Sequence, residues 1–254
     1  MALYENLAEA YDLLFPQSPT ATSFLLERTG GAPPPGSRHA LDLGCATGSQ
    51  LLALAAAGWE GLGLEPSAAM RLRAKEKAAA VGLSSALRFE EGGMLDAASW
   101  ATPGTFDLLL CLGNTLPHLE SEEALGTFLE EARRLLEPRG ALVLQLLNYD
   151  PIMARFAAGA AQVELPEIRA GDIAFHRRYA PGPAGRLGFL TELEVAGERL
   201  RDETLLSPFR PTSLARALQA AGYEEAERYA SWRATPFSGD GDPFLIVVAR
   251  AARS

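Results

Sequence analysis

The chain of 254 residues is 48% hydrophobic and 22% charged, a composition that excludes a disordered chain and suits one elaborated domain. Its 23 Lys and Arg against 32 Asp and Glu leave a net charge of −9, which repels phosphate backbones and anionic lipid surfaces. Nucleic acid and membrane are therefore not the expected partners, and a small molecule is.

Residues 1–29 read as one or two amphipathic helices, without a basic segment leading into an apolar run. No stretch of about 18 apolar residues occurs, so a soluble, cytoplasmic protein is expected. GGAPPPGSR (30–38) is a stiff loop. From residue 40 onward, short apolar runs alternate with stretches of helical period, the pattern of a parallel sheet with helices on its faces. Strands are predicted at 40–43, 61–65, 86–90, 106–112 and 141–147; their runs barely alternate, as in strands covered on both sides. The clearest helix spans 121–137, with Ser121 as cap, Glu122 and Glu123 in its first turn, and Ala124, Leu125, Phe128, Leu129, Ala132, Leu135 and Leu136 on its apolar face. Pro138 and Gly140 stop it. Across 163–206 polar and apolar residues alternate, and RYAPGPAGRLGFLTELEV resembles two strands around a Pro/Gly turn, so an inserted antiparallel meander is predicted. A helix at 211–221 and strands near 225–229 and 244–250 close the chain. Cys45 and Cys111 lie in apolar runs and read as small buried hydrophobes; neither a disulfide nor a metal site is expected.

ALDLGCATGSQ (40–50) has the strand, glycine turn and helix order that lets a backbone approach a ligand closely. Asp42 at the strand end would oppose a pyrophosphate on the helix N-terminus but favours a cationic ligand. Glu65 ends the next strand at the spacing expected of a carboxylate that accepts both ribose hydroxyls of a nucleoside. Taken singly, Asp42 and Glu65 also read as helix caps. Together they point to a nucleoside with a positive centre.

D-L-G-C-A-T-G, then G-L-E-P-S-A-A-M, then F-D-L-L-L-C-L resemble the class I S-adenosylmethionine-dependent methyltransferases over about residues 38–150. The resemblance implies a Rossmann-like α/β fold: a seven-stranded sheet, mostly parallel with an antiparallel last strand, plus the inserted antiparallel meander. It implies one domain in four parts: a helical lid (1–37), a cofactor-binding core (38–150), a substrate-facing meander (151–210) and a closing helix and strands (211–254). It further implies S-adenosylmethionine as cofactor, with Gly44, Ala46 and Gly48 around its methionyl part, Asp42 at its ammonium and Glu65 at its ribose. Met70 would pack near the adenine, and Gly93 and Met94 would lie at its edge. Cys45 and Pro66 fall within the same loops and join this set. Tyr11 would close over the cofactor, although it also reads as the core residue of an amphipathic helix. Ala46 replaces a usual glycine, and Gly93 stands where many relatives carry Asp or Asn, leaving adenine recognition to backbone groups.

Asn114 and His118 in CLGNTLPHL follow the fourth strand, and Asn148 and Tyr149 follow the fifth, at the edge where open α/β sheets bind ligands. CLGNTLPHL and LNYDPIM resemble segments of the glycine and sarcosine N-methyltransferases, which implies a Leu112 backbone contact to the methionyl group and acceptor contacts from Asn114 and His118. Tyr149 is grouped with them as a catalytic candidate; His118 reads alternatively as a partly exposed loop residue. The family pattern places an arginine where Leu147 stands, and without that guanidinium an amino-acid carboxylate would be buried unpaired. Arg155, Arg178 and Arg210 are the candidates to replace it. Methyl transfer is a direct displacement, so alignment and water exclusion matter most, and an acceptor amine must arrive neutral. Asn114 or a nearby backbone carbonyl is predicted to orient it by accepting an N–H. A nicotinamide-dependent oxidoreductase is the alternative, opposed by the absence of an intact G-x-G-x-x-G and by Asp42; a cofactor-binding module without chemistry is the other.

Overall fold

The computed structural model describes residues 7–239 and 241–251; the first six residues of the expected leading helices lie outside the described residues. Apolar runs bounded by Gly and Pro turns become strands β1 (His39–Leu43), β2 (Glu60–Leu64), β3 (Leu87–Glu90), β4 (Phe106–Cys111) and β5 (Leu136–Leu147). They pair in parallel in the order β3-β2-β1-β4-β5. Leu41, Leu109, Leu142 and Leu144 are wholly buried, because helices cover both faces. The sheet continues through β12 (Phe244–Ala251), antiparallel to β5, to β11 (Tyr223–Tyr229), antiparallel to β12. Of the seven strands, the last in sequence is thus the one that runs against the others.

On one face lie α2 (Pro19–Arg28), α3 (Ser49–Ala56) and α4 (Ala68–Ala80), whose Phe24, Leu51, Leu54 and Ala74 share a core with Leu108 and Leu110. On the other, α5 (Glu122–Leu135) and α7 (Pro211–Ala220) pack through Phe128, Leu129, Leu214 and Leu218. Ser121 caps α5 as expected, its hydroxyl accepting from the Ala124 N–H at 3.1 Å. The helix stops at Leu135, two residues short of the predicted end. Leu136 is buried and already extended, and it opens β5 opposite Phe106. Glu137 precedes Pro138, which disfavours a helical backbone there.

One helix was not foreseen. Asn148 accepts from the Asp150 N–H at 3.1 Å and caps α6 (Tyr149–Ala157), which carries the chain from β5 into the insertion. The insertion is an antiparallel sheet of β6 (Val163–Glu164), β7 (Ile168–Ala170), β8 (Ile173–Pro181), β9 (Leu187–Val195) and β10 (Glu198–Leu206), with the Pro/Gly turn between β8 and β9. A four-residue α1 (Tyr11–Leu14) precedes α2 and joins Leu7, Phe175 and Leu193 in a small apolar cluster with Met70. Among the described residues no helix is long and apolar enough to cross a membrane.

The turn from β1 into α3 is closely packed at its last glycine. A Cβ added at Gly48 would lie 2.7 Å from the Phe89 ring and 3.0 Å from Ala74, at a φ of +73°. Gly82, after α4, has the same φ of +73° with open space around it. In urea unfolding, Gly82→Ala is expected to lose about 1–2 kcal/mol for the left-handed backbone alone, and Gly48→Ala about 1–3 kcal/mol more for the overpacking. Equal losses would show that the contact with Phe89 carries no weight.

Candidate active site

At the end of β1 the chain turns through Gly44 and Ala46, both at positive φ (76° and 48°), before Gly48 opens α3. The Gly44 and Cys45 N–H groups donate to the Leu64 carbonyl at 2.8 and 3.2 Å, which ties the turn to the neighbouring strand. The Ala46 N–H donates to Glu65 Oε2 at 3.1 Å, so the left-handed alanine is held by the carboxylate at the end of β2. Glu65 Oε1 accepts from the Ser67 N–H at 2.9 Å, giving this residue a local turn role as well as a place on the site wall. Asp42 is 3% exposed and, among the described residues, makes no side-chain hydrogen bond or ion pair. Burial, with repulsion from Glu65, raises its carboxyl to a pKa of about 7.

Gly44, Ala46 and Glu65 border a cavity of about 390 Å³ at the C-terminal ends of β1, β2 and β4, a size typical of small-molecule sites. Of the residues singled out in the sequence, Tyr11, Gly44, Ala46, Glu65, Pro66, Met70, Gly93, Met94, Asn114 and His118 line it. An adjoining cleft of about 190 Å³ shares Tyr11, Gly44 and Ala46 and adds Asp42, Cys45 and Leu112. Gly48 lies on neither wall; it is the αL residue that starts α3. Tyr149 lies on neither wall and is wholly buried.

Several wall residues escaped the sequence reading. Thr115 seats against Gly44, where an added Cβ would come 2.5 Å from its Cγ2. Its hydroxyl donates to the Leu112 carbonyl at 2.7 Å, so that carbonyl already serves a turn. Gln145 Oε1 accepts from the Gly113 N–H at 2.7 Å. Asp96 lines the cavity and accepts from the Gly93 N–H at 2.8 Å. A carboxylate is therefore present beside Gly93, three residues later than the usual place, and its proximity in sequence was the available signal.

Asn114 adopts a left-handed φ of 65° and braces two strand ends. Its Oδ1 accepts from the Leu147 N–H at 3.0 Å, and its Nδ2 donates to the Tyr149 hydroxyl at 3.1 Å. The Tyr149 and Tyr179 hydroxyls lie 3.3 Å apart, linking this brace to β8 of the insertion. Burial pushes the Tyr149 hydroxyl well above its ordinary pKa, so it stays protonated and acts here as a hydrogen-bonding prop behind Asn114. Asn148 also has a structural place: its Nδ2 donates to the carbonyls of Gly239 and Asp242. His118 closes the 3₁₀ turn Leu116–His118 on the cavity wall. Burial, aided by the positive charge of Arg186, lowers its pKa and favours the neutral imidazole. None of Arg155, Arg178 and Arg210 lines the cavity; Arg210 pairs instead with Asp150. Leu147 packs against the core. Among the described residues, no group of three or more His, Cys, Asp or Glu is placed to hold a metal ion.

A β-α-β frame with this glycine turn, two carboxylates at adjacent strand ends and an antiparallel last strand defines the class I methyltransferase fold. Residues 40–140 match the family described as a methyltransferase domain. The chain resembles a glycine/sarcosine N-methyltransferase of Halorhodospira halochloris, 24% identical over 159 residues, or 59% of this chain and 53% of that protein. The chain thus spans about half the length of this curated relative. Among solved structures it is similar to the CcbJ methyltransferase of Streptomyces caelestis, with a TM-score of 0.76 and 25% identity over 93% of this chain and 97% of that one. An S-adenosylmethionine-dependent methyltransferase of Clostridium acetobutylicum superposes with a TM-score of 0.78 over 98% of this chain and 99% of that one at 13% identity, a likeness of fold. The chain has the fold of the S-adenosylmethionine-dependent methyltransferases, and residues 40–140 of its core match a methyltransferase-domain family.

Asp42 makes a prediction that needs no ligand. Its folded pKa of about 7 stands above the unfolded 3.8, so the folded protein holds the proton more tightly and loses stability as pH rises through that window. At about 1.36 kcal/mol per pH unit the cost levels off above pH 7 at roughly 4 kcal/mol. Asp42→Asn is expected to raise Tm at pH 8 by several degrees and to leave it nearly unchanged at pH 4. Equal melting of variant and wild type at pH 8, by calorimetry, would sink this account of the buried carboxylate.

Proposed function

We propose that the protein is an S-adenosylmethionine-dependent methyltransferase that methylates the nitrogen of a small amine. The observation that carries this reading is the buried, unpartnered Asp42 on the smaller cleft with Glu65 on the cavity that adjoins it. Two buried carboxylates are costly alone and are matched by a ligand bearing both a cation and a pair of hydroxyls. S-adenosylmethionine has that chemistry. Asp42 would hold its ammonium and Glu65 its ribose hydroxyls, while Gly44, Ala46 and the Cys45 backbone line the methionyl end. Met70, Met94 and Pro66 offer apolar wall to the adenine, with Asp96 beside Gly93 as an acceptor for its exocyclic amine. Bound there, the sulfonium supplies an electrophilic methyl group.

The remaining work belongs to the chain's own groups. The His118 imidazole, kept neutral by burial, offers a lone pair that orients an acceptor amine arriving without its extra proton. Asn114 Oδ1 receives the Leu147 N–H and lies 3.3 Å from the Tyr149 hydroxyl; when that hydroxyl donates to Tyr179 instead, a second lone pair serves an acceptor N–H. The leading helices and the antiparallel insertion act as the cover that excludes water. Resemblance to a protein named as a glycine/sarcosine N-methyltransferase supports nitrogen as the acceptor atom. The walls argue against glycine itself: Glu65 and Asp96 line the cavity, no Lys or Arg among the described residues does, and Leu147 replaces the arginine of the family pattern. An amine without a carboxylate fits better.

Thermal unfolding with S-adenosylhomocysteine in excess, against the same excess of NAD, tests the cofactor. Stabilisation of about 2.7 kcal/mol is expected at 100 times the Kd of the first ligand. A shift with NAD alone would overturn the assignment. Affinity should also depend on pH: below about 7 free Asp42 carries a proton that a cationic ligand must displace, so Kd for the ligand rises as pH falls, approaching about tenfold per unit. A flat profile from pH 5 to 8 would remove Asp42 from the cation site. Released S-adenosylhomocysteine, followed across a panel of neutral amines beside glycine and sarcosine, then tests the acceptor. Turnover confined to glycine and sarcosine would refute the carboxylate-free class.

A further inference from the structure

The residue after Tyr11 is tied to three elements at once. Asp12 Oδ1 accepts from the Thr47 hydroxyl at 2.6 Å and from the Ser49 hydroxyl at 2.9 Å, and its Oδ2 receives Lys77 Nζ at 2.6 Å. Lys77 Nζ donates as well to the same two hydroxyls, at 3.1 and 2.6 Å. One carboxylate of α1 thus meets the residues on either side of Gly48 and a lysine of α4. Burial works to raise its pKa, but the bonds from Lys77, Thr47 and Ser49 outweigh it and hold the carboxylate below its usual range. Thr47 is 1% exposed and follows Ala46 on the site wall, so the anchor point is rigid.

The helix being anchored cannot hold itself. Four residues are too few to form a stable helix alone. Apolar contacts hold it as well, Leu7 and Leu14 in the small cluster and Phe15 edge-on to Phe175 at 5.9 Å, but these leave its register loosely defined. The Asp12 bonds supply the direction. They fix the register of α1 against the glycine turn, and with it the place of Tyr11, which lines both the cavity and the adjoining cleft.

We propose that Asp12 is a positioning residue, a latch that keeps Tyr11 over the cofactor and sets how fast the cofactor is exchanged. The inference rests on the reading of this cavity as the cofactor site. Two hydroxyls and an ammonium on one carboxylate make charge-assisted bonds, each about twice as strong as a neutral one. Losing the charge is therefore expected to open α1 far more often, without touching the groups that face the acceptor.

The test uses the full chain as Asp12→Asn and, separately, as Lys77→Met, which removes the ammonium from the other side. S-adenosylhomocysteine dissociation is followed by stopped-flow displacement, and hydrogen exchange is followed across residues 7–15. Expected in both variants are a release rate and a KM for S-adenosylmethionine about tenfold higher, kcat at saturating cofactor within about twofold, and faster exchange in α1. A purely structural role would instead lower Tm and leave the release rate of the folded protein unchanged; that result in both variants overturns the latch. Wild type that binds no S-adenosylhomocysteine overturns the cofactor reading and the retention role with it. Unaltered exchange in α1 of Asp12→Asn would then show that the tether itself is absent.

Discussion

Everything in this molecule converges on a carboxylate that has nowhere to go. Asp42 and Glu65 are both buried at the ends of β1 and β2, two strands in parallel register, and a doubly wound sheet brings such ends together without choice. The strand order runs outward from β1 in both directions, to β2 and to β4, so a crevice opens beside it where the crossover helices part. Within that crevice Glu65 has backbone partners and Asp42 has none. Proteins rarely keep a buried charge without a counterpart. Under the proposed reading, Asp42 is half of an ion pair whose other half is the ligand.

Strain gathers around the same point. Ala46 and Asn114, both on the cavity wall, are held in the left-handed region, and side-chain hydrogen bonds fix each of them. Glu65 secures the first through its N–H; Tyr149 and the Leu147 backbone secure the second through its amide. Such backbone costs of order 1–3 kcal/mol each persist only where the surroundings over-determine them. Here the surroundings are two layers deep, because Tyr149 is itself propped by Tyr179 of the insertion. The inserted sheet is thus wired into the site's wall from behind.

Much of the frame was legible because its signals are local. The apolar runs of β1 to β5, the Ser121 cap and the Pro/Gly turn of the insertion depend on neighbours a few residues away. The pairing of Asp42 with Glu65 was legible because a β-α-β unit fixes the distance between successive strand ends. What escaped depends on long separations or on competition between two local readings. Asn148 looked like a polar strand end and is a helix cap, and Pro151 sits in the first turn of α6, where it is tolerated. Leu136 looked like the last apolar residue of a helix and is the first paired residue of β5. Tyr149 carried the right motif at the right strand end, yet its side chain turned inward to the tyrosine of a strand thirty residues on. Asp12 and Lys77 are 65 residues apart and share no pattern that a single sequence displays.

The departure at Leu147 shows how a wall can select by what it withholds. Its N–H is spent on Asn114 and its side chain on the core, so this strand end contributes packing where an arginine would contribute charge. The described residues around the cavity then carry carboxylates at Glu65 and Asp96 and a neutral imidazole at His118. A ligand group with negative charge loses its hydration there and meets repulsion, whereas an amine loses less and gains acceptors. Under the proposed reading, the same electrostatics that draw a cationic cofactor toward Asp42 also exclude a carboxylate-bearing acceptor. Discrimination then comes from the penalty on the wrong ligand more than from any contact reserved for the right one.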